Sequence, residues 1–310
     1  KLKNQKTLFG MRKFSLQHPD VRGYLYEWFC HKMFKQEEII GLRYDFIKVY
    51  LNGDDYGIFA IEEHFDKRLV ENNKRKESPI IRFDENNFFR EFREFYNHND
   101  SRIGHNNPSG YGSFNRSPIR SFKSFINSED SLLTQNLKVG HSLLESFREK
   151  KIKPSDAFNV EKLASYLAIV QVVRGYHGAN WRNIRFYYNP FTMNLEPIAF
   201  DMYDGSMEKN FNLFIEDEKN GFFEILFSDI EFYKTYVKKL EKYSDKIYLD
   251  TIFFNFKKDL NRVNNIIYSE WPSYFFDKSK FYDNANYVRS IINPAKAIRV
   301  EFLQKDNKLI

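Results

Sequence analysis

The residues most able to do chemistry lie in GYHGANWRNIRFYYNPFTMNLEPIAFD, residues 175–201. A helix-breaking polar patch carries His177, Asn180, Trp181 and Asn183, and the second of two apolar runs ends on Asp201. An imidazole serves as a base near neutral pH. An amide oxygen and a carboxylate are hard donors of the kind Mg²⁺ takes beside phosphate oxygens. A base and an amide on a loop, then a hairpin, then an Asp suits phosphoryl transfer, where positioning and charge neutralisation dominate. An unpaired carboxylate after the apolar run PIAF is costly, so Asp201 is expected to contact a metal or a Lys. Asp204, in DMYDG, reads as a second acidic ligand or as a turn residue. His177 also suits a helix C-terminus, and Asn183 a turn.

These groups need elements to hold them. MRKFSLQ (11–17) alternates as a strand. In HPDVRGYLYEWFCHKMFKQEE, Pro19 and Asp20 mark a first helical turn, and Leu25, Phe29 and Met33 recur at helical spacing. YDFIKVYLNGDDYGIFAIEEHF (44–65) is a hairpin turned at Asn52-Gly53. Alternation there puts one of Glu62 and Glu63 inward and the other outward. A short charged helix (66–77) and the strand SPIIRFDE follow. Residues 97–128, rich in Ser, Asn, Gly, Pro and Arg, have the composition of an insertion or loop. Helical periodicity returns in SLLESFREKK and in NVEKLASYLAIVQVVRGY (159–176), with Asn159 as N-cap and Gly175 as stop. After the opening hairpin the pattern is helical to the end. The outline is α+β in two lobes: a small strand-rich lobe with one helix (1–84), a polar insertion with connecting helices (85–157), and a helical large lobe carrying the loop and hairpin (158–310).

Composition narrows the chemistry further. With 42% hydrophobic and 29% charged residues the 310-residue chain is globular. A net charge of +6 from 48 bases and 42 acids permits an anionic partner without demanding one. Aromatics reach 18%, consistent with a Phe-rich core. The single Cys30 excludes an intrachain disulfide and a cysteine zinc cluster. No run of 18 apolar residues appears, so no transmembrane segment is expected. The chain opens on KLKNQKTLFG, without Met or a signal-peptide pattern, and reads as a domain of a longer protein. No G-x-x-x-x-G-K-[ST] loop, G-x-G-x-x-G, H-E-x-x-H or G-x-S-x-G elbow is present.

Strand with Lys, helix with Glu, further strands, long helix, polar loop, hairpin and Asp is the order of a protein-kinase-like fold. The segments KFSLQHPDVRGYLYEWF, VYLNGDDYGIFAIEEHFDKRLVE, IRFDE, HGANWRNIRFYYNP and LEPIAFD resemble the CotH kinase family, atypical kinases named for a bacterial spore-coat protein. The resemblance covers most of the chain outside 85–157. It implies an atypical kinase-like fold and an ATP- and Mg²⁺-dependent kinase that modifies Ser or Thr on a protein. It makes Asp201 the metal-binding Asp, Asn183 the metal-ligating amide with Asn180 as alternative, and Asp204 a further acidic ligand. It makes Lys13 the phosphate-binding Lys, Glu27 its partner, Glu63 the residue at the hinge, and Arg82 a phosphate contact. His177 stands where the family carries its catalytic Asp, a departure that touches the chemistry itself. Nucleotidyl transfer, or a catalytically inactive nucleotide-binding or scaffold module of the bacterial envelope, are the rival readings. Nucleic acid is the weakest of the partners, motivated only by SFNRSPIRSFKSF, where Arg116, Arg120 and Lys123 interleave with Phe114, Phe122 and Phe125.

Overall fold

The computed structural model describes residues 2, 6–97, 113–122, 131–203, 221–293, 302–303 and 308–309. Most of the 97–128 segment, with Lys123 and Phe125, and Asp204 lie outside the described residues.

The protein is a mixed α/β chain. Strand β1 (Phe14–Gln17) leads through a 3-10 turn (Pro19–Arg22) to helix α1 (Leu25–Gln36). Pro19 and Asp20 therefore open a separate turn and not α1 itself. Gly23, at φ 64°, ends that turn in the left-handed region that glycine tolerates. On α1, Leu25, Phe29 and Met33 are fully buried, as their spacing requires. Strands β2 (Ile40–Gly41), β3 (Tyr44–Leu51) and β4 (Asp54–Glu63) follow. Asn52 and Gly53 both take positive φ and turn the β3–β4 hairpin as the dipeptide predicts. One antiparallel sheet has the order β1-β4-β3.

Next come α2 (Lys67–Asn72), β5 (Ile80–Phe83), α3 (Asn86–Asn97) and β6 (Ile119–Ser121). Helices α4 (Ser131–Arg148), α5 (Pro154–Ala157), α6 (Val160–Val173) and α7 (Tyr176–Ala179) lead to the hairpin of β7 (Arg185–Asn189) and β8 (Asn194–Ala199). A five-stranded sheet runs β2-β8-β7-β5-β6, with β2 parallel to β8 and the other pairs antiparallel. It draws β2 and β5 from the first third of the chain and β7 and β8 from the second half. Helices α8 (Phe222–Phe227), α9 (Ile230–Tyr243), α10 (Lys246–Asn255), α11 (Lys257–Tyr268) and α12 (Ser279–Ile292) complete the helical part, and the short strands β9 (Phe302–Leu303) and β10 (Lys308–Leu309) pair with each other.

Helix α6 is the centre of the core. Every residue from Leu163 to Val173 is buried, so it is apolar all round rather than amphipathic. Asn159 caps it by accepting from the Lys162 N–H, and Arg174, not Gly175, takes the left-handed closing position. Phe114 is buried against Phe83, Trp181 and Phe222, and Phe122 stacks on Phe65. Phe114 is thus part of the core, and Phe122 is partly buried. No helix among the described residues is long and apolar enough to cross a membrane.

Candidate active site at the end of β8

Asp201 follows β8 at φ 60°, left-handed backbone that a short polar side chain tolerates better than most. That kink turns three successive amides the same way. The Glu27 carboxylate accepts all three: Asp201 N–H at 3.1 Å, Met202 N–H at 2.9 Å and Tyr203 N–H at 3.3 Å. The amides form an anion-binding concavity filled from α1. Glu27 is thus wholly buried, against the surface position usual for a Glu in an amphipathic helix. Burial pushes its carboxyl up. His31, Arg22 and the Met202 amide outweigh that and hold it below the ordinary range.

Two close approaches seat the 200–203 segment. A Cβ on Gly178 would lie 2.3 Å from Met202 Cε and 2.9 Å from the Phe200 carbonyl oxygen, so α7 reaches this backbone only as glycine. A Cβ on Gly23 would meet the Tyr203 ring at 2.7 Å.

The Asp201 side chain is nearly buried and forms an ion pair with Arg22, whose guanidinium also lies over the Phe200 ring. His177, on α7, places Nδ1 3.6 Å from Asp201 Oδ1 and 3.4 Å from the Tyr203 carbonyl oxygen, and its side chain is 47% exposed. The same Asp201 oxygen, Oδ1, therefore meets a cation and a solvent-reachable imidazole. Asn183 Nδ2 donates to the His177 carbonyl at 3.2 Å, and its Oδ1 has Arg185 Nη2 at 3.5 Å. Asn180 Oδ1 accepts from Arg182 N at 3.0 Å and Nε at 3.1 Å, so this oxygen is committed to loop structure. Of the two amides, Asn183 keeps the less engaged oxygen. Burial, then Arg82, pull the neighbouring Arg185 guanidinium down to about 9.

The structure thus brings Asp201, His177, Asn183 and Glu27 together. Lys13, Glu63 and Arg82 have other partners. Lys13 precedes β1, where its carbonyl accepts the His64 N–H at 3.2 Å and its ammonium acts on His64. Glu63 is bound by Arg43 through Nε at 2.9 Å and through Nη2. Arg82 contacts Glu85 at 3.1 Å and lies over the Phe122 ring.

Glu62 and Glu63 alternate between faces as expected, but neither faces solvent. Both are buried, at 6% and 2% exposure, because α1 covers one face at the end of β4 and Arg43 the other. Glu62 faces Glu27, His31 and Arg22. Burial first, and Glu27 second, raise its carboxyl to about 7 against the pull of Arg22.

Sequence reasoning missed Arg22, His31 and Gly178. The spacing of Glu27 and His31, i and i+4 on one helix face, was a usable signal for His31. Nothing in the local sequence marks Arg22, which is placed by the turn at Gly23.

This is a mixed α/β protein whose acidic centre is assembled from the first helix, a polar loop and the exit of a hairpin. The chain matches the CotH kinase protein family across residues 1–296 and belongs to it. No curated protein matches the sequence.

Proposed function

We propose that the chain is an ATP- and Mg²⁺-dependent phosphotransferase with a two-lobed kinase-like arrangement, divided near residues 84 and 157, acting on a hydroxyl of a protein, Ser or Thr, or of another acceptor. One observation carries this reading: a nearly buried Asp201 carboxylate is fixed by backbone that Glu27 holds at three amides, with a cation and an imidazole against it. Asp201 would hold Mg²⁺, with Asn183 and Asp204 as the further ligands expected from the sequence, and the ion would neutralise phosphate charge. Arg22, paired with Asp201, would be placed to neutralise the phosphates, the part that the family resemblance gives to Lys13. His177 accepts the proton of the acceptor hydroxyl.

A second reading is an inactive nucleotide-binding module. It is favoured by His177 at the catalytic Asp position and by the Arg22 ion pair that already neutralises Asp201.

Thermal unfolding with ATP and Mg²⁺, ATP alone and no ligand, for wild type and Asp201→Ala, tests the site. Free ATP 100-fold above its Kd stabilises the folded state by about 2.7 kcal/mol. That gain should require Mg²⁺ and vanish in Asp201→Ala. Transfer from γ-labelled ATP, lowered at least ~100-fold in Asp201→Ala, supports the kinase. Transfer from α-labelled ATP indicates nucleotidyl transfer, and binding without either supports the inactive module. No stabilisation of a folded wild-type chain would overturn the ATP site.

A further inference from the structure

Behind the Asp201 centre, α1 and β4 bring a second set of donors together. Glu27, His31 and Glu62 each offer one ligand atom, and these atoms all lie within 4.8 Å of one another. The three residues are at most 8% exposed. His31 Nε2 is 3.3 Å from Glu27 Oε1, yet neither ring nitrogen of His31 makes a hydrogen bond. Glu62 Oε1 is likewise buried without a hydrogen-bond partner. A buried carboxylate oxygen and a buried imidazole left unmet beside a second carboxylate are expensive unless a cation or protons compensate them.

We propose that Glu27, His31 and Glu62 form a binding site for a borderline divalent cation of the Zn²⁺ class, separate from the Mg²⁺ proposed at Asp201. An imidazole with two carboxylate oxygens is a zinc-type donor set, whereas Mg²⁺ prefers oxygen donors alone. Three protein donors leave a fourth position for water. His31 and Tyr44 also line an open cleft of about 730 Å³, which gives the ion a route from solvent. The ion ties α1 to β4 and, through Glu27, steadies the 201–203 amides. The site rests on the geometry of α1 and β4 and does not depend on the kinase reading.

The test uses the full chain, stripped with chelator and titrated with Zn²⁺ by calorimetry, with Co²⁺ substitution followed by visible absorption. One equivalent of Zn²⁺ with a raised unfolding temperature is expected, together with cobalt ligand-field bands. Glu62→Gln and His31→Gln should each weaken zinc binding by more than about 100-fold. Should His31→Gln fail to fold by circular dichroism, the isosteric Glu62→Gln carries the test. Asp201→Ala should keep its zinc while losing the response to ATP and Mg²⁺, which separates failure of this site from failure of the proposed function. No stoichiometric zinc in wild type, undiminished zinc in Glu62→Gln, or loss of zinc in Asp201→Ala would each overturn the proposal.

Discussion

Glu62 and Glu63 are neighbours on one strand, equally hidden from water, yet their surroundings are opposite. Glu63 receives the Arg43 amide at 3.1 Å, its Nε at 2.9 Å and its Nη2, while Arg43 Nη1 also holds the Phe9 carbonyl at 2.9 Å. Glu62 instead faces a second carboxylate and an imidazole, with one oxygen unbonded, and the guanidinium that acts on it, Arg22, is paired with Asp201. A buried charge with a forked guanidinium is closed chemistry that ties the N-terminal segment to the sheet. A buried charge without one is open chemistry, available to a proton or an ion. Burial does not separate the structural carboxylate from the reactive one; the count of donors does.

The largest effect should come from breaking the closed side. Arg43→Met leaves Glu63 buried without its cation, and removing one partner of such a pair typically costs about 3–5 kcal/mol. Urea unfolding measures it. A loss below about 1 kcal/mol would mean that Glu63 is as open as Glu62, and the contrast would collapse.

The open side should respond to pH, and in the reverse sense to most carboxylates. Glu62 is raised from its ordinary 4.5 to about 7 in the folded chain. Folded protein then holds more protons than unfolded protein between those values, so this contribution to stability falls as pH rises through them. In chelator-treated protein, the stability of wild type relative to Glu62→Gln should drop by about 3 kcal/mol between acid and neutral pH. A flat difference across that range would show that Glu62 is compensated by something other than a proton.

The same contrast explains what the sequence made legible. The Asn52-Gly53 hairpin, the Asn159 cap, helix α6 and the β7–β8 hairpin rest on local chemistry, and the structure has them where propensity and spacing put them. His177, Asn183 and Asp201 lie within one short stretch, so their proximity was readable too. The pairings that cross the chain were not. Arg22 meets Asp201 only because a 3-10 turn and Gly23 bring the start of α1 under β8. Alternation placed Glu62 and Glu63 on opposite faces but did not give their exposure, because period-2 patterning assumes one wet face and the end of β4 has none. Lys13 immediately precedes β1, and the pairing of β1 with β4 sets its carbonyl against the His64 N–H, a neighbour that no local pattern announces.

The smallest predicted effect compares two glycines that serve for different reasons. Gly53, at φ 97° with open space around its missing Cβ, is needed for backbone conformation alone. Gly53→Ala should cost about 1 kcal/mol through strain in the turn and leave the ATP and Mg²⁺ response intact. Gly178 is needed for space: an added methyl meets the Phe200 carbonyl oxygen, which belongs to the backbone and does not swing aside. Gly178→Ala should cost about 1–3 kcal/mol by overpacking. It must also push the 200–203 segment away from α7, against the amides that Glu27 holds. The response to ATP and Mg²⁺ should therefore weaken in Gly178→Ala beyond what its lost stability explains. Equal responses from the two glycine variants would mean that the Asp201 backbone is fixed by Glu27 alone, and that α7 brings His177 to the site without shaping it.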